Sequence, residues 1–401
     1  MRADFAALAR IGALPDGGVC RSALGDAHLE ARAWFSERAA AAGLEARVDA
    51  AGNHSAVLAG PREAPTILLG SHLDTVPVAG CYDGAIGVLA ALECLRVVRE
   101  LGLKLPVTLE AIDFTDEEGS LVGLLGSRAL AGSLSEDMLA RPRGGREALQ
   151  AALERAGLRE QRLREARRRP ERLAAYLELH VEQGPVLARE GVDIGVVTRI
   201  LGSRSYRVRF EGSRRHAGTT PMHERRDALL GAAHFALAVR ETVLSCFSDC
   251  VGTVGAIAVD APAFNVVPGA ACALLELRAP DERRLDAVES AILARAHQIA
   301  QEMNLAAQVE IVGRFPAVEL DLLLRQLIAD AATQLGLTCM EISSGAGHDA
   351  QALASVTRTG MIFIPSAEGI SHDPAEYTEW SACVAGANVL LRTALALARG
   401  L

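Results

Sequence analysis

Five short segments carry the residue types from which a hydrolytic metal centre is built. TILLGSHLDT places His72 at the end of an apolar run, with Asp74 two residues on. CYDGAIG places Asp83 at the start of an apolar helical stretch. AIDFTDEEGS sets Glu117 and Glu118 after a second apolar run and before Gly119. YLELHVEQGP brings His180 to the end of a third, and FIPSAEGISHDP puts His372 in a Gly/Ser/Pro loop after a fourth. Singly, each has a plainer reading. A histidine after a strand is commonly a hydrogen-bonded structural residue, and Asp83 alone could be a helix N-cap. Together, three imidazoles and three carboxylates in turn-like sequence suit hard or borderline divalent cations.

The set is large enough for two ions. A carboxylate can bridge cations about 3.5–4 Å apart, and each ion then takes further ligands. Asp83 is the bridging candidate. His72 and His180 complete one ion, and Glu118 and His372 the other. Adjacent side chains of an extended segment point to different sides. Glu118 can therefore ligate while Glu117 faces the substrate as a general base for water. Asp74 is then the partner that holds the His72 ring. Such donors accept zinc, manganese, cobalt or nickel alike.

Ligands at strand ends call for an open α/β sheet, which places its sites at the carboxyl ends of its strands. The periodicity predicts a helix over 28–43, strands over 46–50, 55–60, 66–72 and 106–114, and a buried helix over 84–101. That order implies a mixed, mainly parallel sheet flanked by helices. Residues 133–175 are rich in Arg and Glu and read as a solvated surface helix. From about 199 a new unit begins. Strands over 205–212, 250–260, 271–279 and 306–315 alternate with helices over 225–245 and 281–304, a β-α-β-β-α-β order. After it, a helix over 318–336, strands at 341–344 and 361–366 and a helix over 379–399 resume the first style. The expected organisation is a catalytic domain of 1–198 and 316–401, interrupted by a smaller α/β domain of 199–315.

Composition bounds the function. At 401 residues two domains are the natural expectation, and a 50% hydrophobic, 23% charged chain is globular. A net charge of −9 argues against a nucleic-acid backbone binder, and 4% aromatic residues argue against stacking platforms. Lys104 is the only lysine, which excludes a Walker phosphate loop in its usual form and confines Schiff-base chemistry to that one side chain. Eight cysteines without ligand spacing read as reduced thiols. Asp4 and Arg10 interrupt the N-terminal apolar stretch, and no run reaches the length of a membrane span. The expectation is a cytoplasmic protein.

The ordered motifs GSHLDTVP, YDGAIGVLA, FTDEEG, LLGSRALAG, ELHVEQGPVL, RHAGTTPM, RRDAL, FNVVPG, SGAGHDA and FIPSAEGISHDP resemble those of the M20 metallopeptidase-like amidohydrolases. Within them the chain looks most like the hydantoinase/carbamoylase branch, which holds N-carbamoyl-L-amino acid hydrolases, allantoate and ureidoglycolate amidohydrolases and β-ureidopropionase. The resemblance runs from GNHSAVLAG to SHDPAEYTEW, nearly the whole chain. It implies a dinuclear catalytic domain with two divalent ions per subunit, and a lid domain that also forms a homodimer contact. It implies the ligand roles assigned above, with Glu117 as base. His180 stands where M20 peptidases usually have an acidic ligand, which favours a ureido or carbamoyl substrate over a peptide.

The resemblance also implies substrate-binding residues. Gln183 follows the ligand His180; Asn265 and Arg278 grip the substrate carboxylate; His348 lines the site. His216, on the lid, reaches the substrate in its own or the neighbouring subunit. An Arg fork suits a carboxylate, and a lid His can donate to a developing oxyanion. His28, His54, His234 and His297 read as packing or surface residues. There are three departures, of which the first two adjoin the expected metal site and bear on substrate shape or metal preference. The segment after Gly119 is short and lacks the branch's Arg-Phe pair, Cys81 stands where a polar residue is common, and Glu276 replaces an Asp two residues before Arg278. The expected reaction is hydrolysis of an N-carbamoyl-L-amino acid to amino acid, ammonia and carbon dioxide. Allantoate, ureidoglycolate, acyl-amino acid and peptide hydrolysis are the alternatives, and a non-catalytic metal-dependent binding protein is the alternative of another class.

Overall fold

The computed structural model describes residues 1–15 and 17–400. The chain divides into two compact units, Met1–Thr198 with Glu319–Leu401, and Arg199–Val318. In the first, strands β1 (Glu45–Val48), β2 (His54–Leu58), β3 (Thr66–His72), β4 (Thr108–Phe114), β5 (Leu173–Val181) and β6 (Ile194–Ile200) come before the second unit. The second holds β7 (Gly202–Glu211), β8 (Arg215–His216), β9 (Val251–Val259), β10 (Val266–Val267), β11 (Ala270–Ala279) and β12 (Ala306–Phe315). Strands β13 (Val318–Glu319), β14 (Cys339–Ser344) and β15 (Thr359–Ile364) follow.

The larger sheet is ordered β1-β2-β4-β3-β5-β15-β6-β13, with β14 also on β6. Its centre is parallel: β4, β3, β5 and β15 run in one direction. Antiparallel β1 and β2 close one side, and antiparallel β6 follows β15. The central strands read as unbroken apolar runs because both faces are covered. Ile67, Leu69, Leu177, Leu179, Ile362 and Ile364 share the main core with the helices Ala85–Glu100, Leu322–Gln334 and Trp380–Gly400. The alternate residues Tyr176, Glu178 and His180 take the opposite face.

Residues 133–175 do not form the single solvated helix that their charge pattern predicts. Two short helices, Glu136–Ala140 and Arg146–Arg155, and a 3₁₀ segment, Glu160–Ala166, precede β5. Their Leu139, Leu149, Leu153 and Leu163 bury with Leu121, Leu125 and Leu134 in a separate cluster. Arg146 and Arg164 pair with Glu160 and Glu136 across the turns. A few well-spaced leucines suffice to fold a charged segment when each short element buries one side. The helix predicted from 318 likewise starts later, at Leu322, behind an Asp321 N-cap that accepts from Leu324 N.

The second unit is a four-stranded antiparallel sheet, β12-β7-β11-β9, beside a two-stranded ribbon of β10 and β8. Val208, Phe210, Ala273 and Leu275 meet the helices Ala228–Cys246 and Glu282–Glu302 in its core. Helices 228–246 and 380–400 are long and apolar enough to cross a membrane by length and composition alone. In the second, Cys383, Gly386, Leu390, Ala394 and Leu397 repeat every three or four residues and face the core, the pattern of an amphipathic helix. All eight cysteines are free.

Candidate metal centre

Strand register brings the first two candidate ligands together. β3 and β5 are parallel, with Leu69 opposite Leu177. His72 and His180 lie three residues further along each strand and so come level, their ring centroids 5.9 Å apart. Both are 1% exposed. Each ring is fixed through Nδ1 by a main-chain carbonyl, His72 by Asp74 at 2.9 Å and His180 by Val181 at 2.8 Å. Each Nε2 is thereby aimed at the site.

Loops supply the rest. Asp83 precedes Gly84 and the helix Ala85–Glu100. Its Oδ1 stands 3.1 Å from His180 Nε2 and 3.6 Å from His72 Nε2; its Oδ2 stands 3.2 Å from His372 Nε2. Glu118 Oε2 is 3.5 Å from His372 Nε2. Gly84 has φ +63°, and a Cβ there would fall 2.5 Å from the His72 ring, so only glycine fits. His372 and Gln183 hold left-handed backbone at φ +56° and +59°, strain of the kind found at functional sites.

Two triads of possible ligands result, His72–Asp83–His180 and Asp83–Glu118–His372, each offering atoms within 4.8 Å of one another and sharing Asp83. Glu117 belongs to neither, and its Oε2 lies 3.5 Å from His72 Nε2. Both triads fit a divalent cation. The donors are imidazole nitrogens and carboxylate oxygens, and the buried Oε1 of Glu118 has no hydrogen-bond partner among the described residues.

The electrostatics are those of a crowded acidic pocket. Burial, then the charges of Asp349 and Glu118, push the Glu117 carboxyl well above its ordinary range. Burial and Asp83 raise Glu118 to about 7. Asp83 is held well below the usual carboxylate range: burial opposes its charge, but hydrogen bonds to His180 and His372 outweigh it. Burial lowers His72 to about 4. His180 is raised to about 9 because Asp83 outweighs its burial, and His372 is raised to about 9 by the same carboxylate.

Asp74 is placed differently from the expectation. Its carboxylate is 3.9 Å from His72 Nδ1, and the ring is held by the Asp74 carbonyl instead. The carboxylate accepts from the amides of Glu117 and Glu118, both at 3.2 Å. It therefore sets the backbone that presents the acidic pair. Gln183 donates from Nε2 to Asp83 Oδ2 at 2.8 Å. The His348 ring is 4.6 Å from that of His180, with Nε2 2.8 Å from Ser344 Oγ. Two neighbours escape the sequence reading. Glu178, two residues before His180 on the same strand face, forms a third possible group with His180 and His348, and Asp116 at φ +56° accepts from the amides of Leu121, Val122 and Gly123. Strand alternation marks Glu178; nothing in the sequence pattern separates Asp116 from its acidic neighbours.

Within the second unit, the ribbon brings His216 and Asn265 together. His216 pairs with Val266, and the Asn265 carbonyl accepts from Ala217 N at 2.9 Å. Arg278 is not with them. It lies opposite Ser203, near where the chain joins this unit, whereas the ribbon adjoins the other end of β11. The eight steps from Ala270 to Arg278 span about 26 Å at about 3.3 Å each. Arg278 is bonded to Glu276 Oε1 at 2.8 Å.

Residues 68–396 match the model of peptidase family M20/M25/M40. The chain belongs to that family. It is a hydrolase of carbon–nitrogen bonds. An N-carbamoyl-L-amino acid amidohydrolase of Geobacillus stearothermophilus is 37% identical over 400 residues, 98% of this chain and 97% of that protein. A ureidoglycolate hydrolase of Arabidopsis thaliana is 38% identical over 391 residues, 94% of this chain and 82% of that protein. A crystal structure of a hydantoinase/carbamoylase family amidase from Burkholderia multivorans superposes with a TM-score of 0.87 at 35% identity, covering 99% of this chain and 97% of that one. These likenesses place the M20 chain in the hydantoinase/carbamoylase branch.

Proposed function

We propose that this M20 chain hydrolyses the N-carbamoyl group of a small carboxylate. The favoured substrate is an N-carbamoyl-L-amino acid, giving the L-amino acid, ammonia and carbon dioxide, with two divalent ions per subunit. The observation that carries the reading is the sharing of Asp83 by two triads, with Glu117 beside them and outside both. The similarity over nearly its whole length to a carbamoyl-amino acid amidohydrolase supports the substrate class. The ureidoglycolate hydrolase at 38% identity supports a second reading, a smaller ureido acid.

The ureido carbon is a poor electrophile because two nitrogens donate into it. Ions held by His72, Asp83, Glu118, His180 and His372 would supply Lewis-acid polarisation and a more acidic water. Glu117 takes the proton from the attacking water and returns it to the leaving nitrogen, a role suited to a buried carboxyl whose proton affinity is raised. Asp74 holds the Glu117 amide in place for that transfer. Arg278, Asn265 and Gln183 are assigned to the substrate carboxylate, His348 to the wall of the site and His216 to the developing oxyanion.

Strand β11 runs about 26 Å from Ala270, at its ribbon end, to Arg278 at about 3.3 Å per residue, longer than a small substrate. We take this to mean that one copy of the second unit does not bring Arg278 to the same small molecule as Asn265 and His216. The reading accordingly includes a homodimer in which His216 and Asn265 act in the neighbouring subunit's site. The test is a panel of N-carbamoyl amino acids, allantoate, ureidoglycolate, N-acyl amino acids and dipeptides with Mn²⁺, Co²⁺, Ni²⁺ or Zn²⁺. Ammonia release from N-carbamoyl amino acids is expected. Preferred release of amino acid from acyl or peptide substrates, without ammonia, contradicts the reading.

A further inference from the structure

No ligand of the second triad lies in a β-ladder: Glu118 comes four residues after β4 with its amide held by Asp74, and Asp83 and His372 lie in loops. His72 and His180 end paired strands, but Asp83 lies in the turn before a helix, and the His372 side chain is 48% exposed in a left-handed loop position. What fixes them is Glu376, 5% exposed. Its Oε2 accepts from the amides of Tyr82 at 2.9 Å and Asp83 at 3.2 Å. Its Oε1 accepts from Ser371 Oγ at 2.9 Å, and that hydroxyl lies 3.2 Å from Asp83 Oδ2. A turn in which Glu376 N donates to Asp373 O folds the carboxylate back toward its own loop. The side chain fills the space over Gly80, where any Cβ would collide with it.

We propose that Glu376 is a positioning residue that ties the Asp83 turn to the His372 loop, and so sets the affinity of the Asp83–Glu118–His372 triad. One carboxylate accepts three hydrogen bonds from two segments almost three hundred residues apart. Without it the two tyrosine and aspartate amides lose their acceptor and the Ser371 hydroxyl its anchor. The His72–Asp83–His180 triad keeps two ligands on the sheet and feels the loss less. The inference rests on the two-ion reading but not on the substrate.

The test is titration of the metal-free protein with Co²⁺, read by its visible absorption and by metal content after gel filtration. Wild type is expected to take up two equivalents. Glu376→Ala is expected to bind the first much as wild type does and the second about 10- to 100-fold more weakly, the scale of losing a group that orients a ligand. Glu376→Gln keeps an oxygen for the two amides and turns an NH₂ to Ser371 Oγ, which can accept, so it should restore most of the affinity. A merely structural role would not split the two equivalents or yield to that conservative variant. Equal binding of both equivalents by Glu376→Ala overturns the proposal, as does failure of Glu376→Gln to rescue. Should the alanine variant not fold, Ser371→Ala deletes only the hydroxyl link and should weaken the second equivalent alone; unchanged binding there is equally fatal. A wild type that takes up a single equivalent overturns the two-ion reading and this inference together. A wild type that binds two but releases no ammonia from ureido substrates overturns the substrate alone.

Discussion

Replacing Glu117 by glutamine should remove a proton acceptor and little else. The side chain lies outside both ligand triads, with Oε2 3.5 Å from His72 Nε2, and its amide is anchored on Asp74 at 3.2 Å. Glutamine keeps the shape and both of those relations. Because burial and the neighbouring Asp349 and Glu118 already disfavour a charge here, the neutral amide should leave the fold as stable or slightly more so. Proton transfer by a positioned carboxylate contributes about 10²–10⁴ in rate, or about 3–5 kcal/mol of barrier. The predicted variant therefore retains two bound metals and an almost unchanged KM, while kcat falls by about two to four orders of magnitude. Steady-state ammonia release with metal content measured on the same preparation decides it. Full turnover would show that Glu117 is not the base, and loss of metal would show that it is a ligand.

Other expectations follow from the same geometry. Gly84→Ala forces a Cβ to within 2.5 Å of the His72 ring at φ +63°; a strain of about 1–3 kcal/mol should appear in thermal melts together with loss of metal, and a metal-replete variant would contradict the packing. Arg32 and Asp113 form a buried pair at 2.7 Å, and Asp113 also accepts from Leu73 N beside His72. Arg32→Ala leaves that carboxylate unpaired and should cost about 3–5 kcal/mol in denaturant unfolding; a cost near zero would refute the account of the pair. For the metal-free protein, His180 and His372 are raised to about 9 and Glu118 to about 7, so above pH 6.5 the folded state binds more protons than the unfolded one. Its thermal midpoint should fall from pH 6.5 to 9, whereas His72, lowered to about 4, acts only below that window. Added divalent metal should stabilise more as the pH rises, because protons leave the same atoms; a flat profile in both states would contradict this.

His72, His180 and the Glu117–Glu118 pair were legible as candidates because each sits at or just past the end of an apolar run. His72 and His180 close strands whose alternation fixes their face, and Glu117 and Glu118 follow a third. The four long strands and two helices of the second unit were legible for the same reason, since period and turn residues change together, but the two-residue strands of the ribbon at 215–216 and 266–267 were too short to show a period. The supporting contacts were not. The Asp74 carboxylate turns to the Glu117 and Glu118 amides through loop backbone that no periodicity encodes. Glu376 reads as one more acidic residue in PAEYTEW until the fold returns it to a turn 293 positions earlier. The leucines of 139–163 looked too sparse among arginines to make a core, yet short helices bring them together. Arg278 stands near the end of β11 while Asn265 precedes the ribbon strand before its start, a separation that the strand boundaries alone could have given.

The proposed chemistry requires that Asp83 be shared by two cations. Anomalous difference maps from crystals grown with Mn²⁺ test it most directly. Two peaks are expected about 3.5–4 Å apart, one beside His72 and His180, the other beside Glu118 and His372, with an Asp83 oxygen at each. A single peak, or two that do not share Asp83, would contradict it.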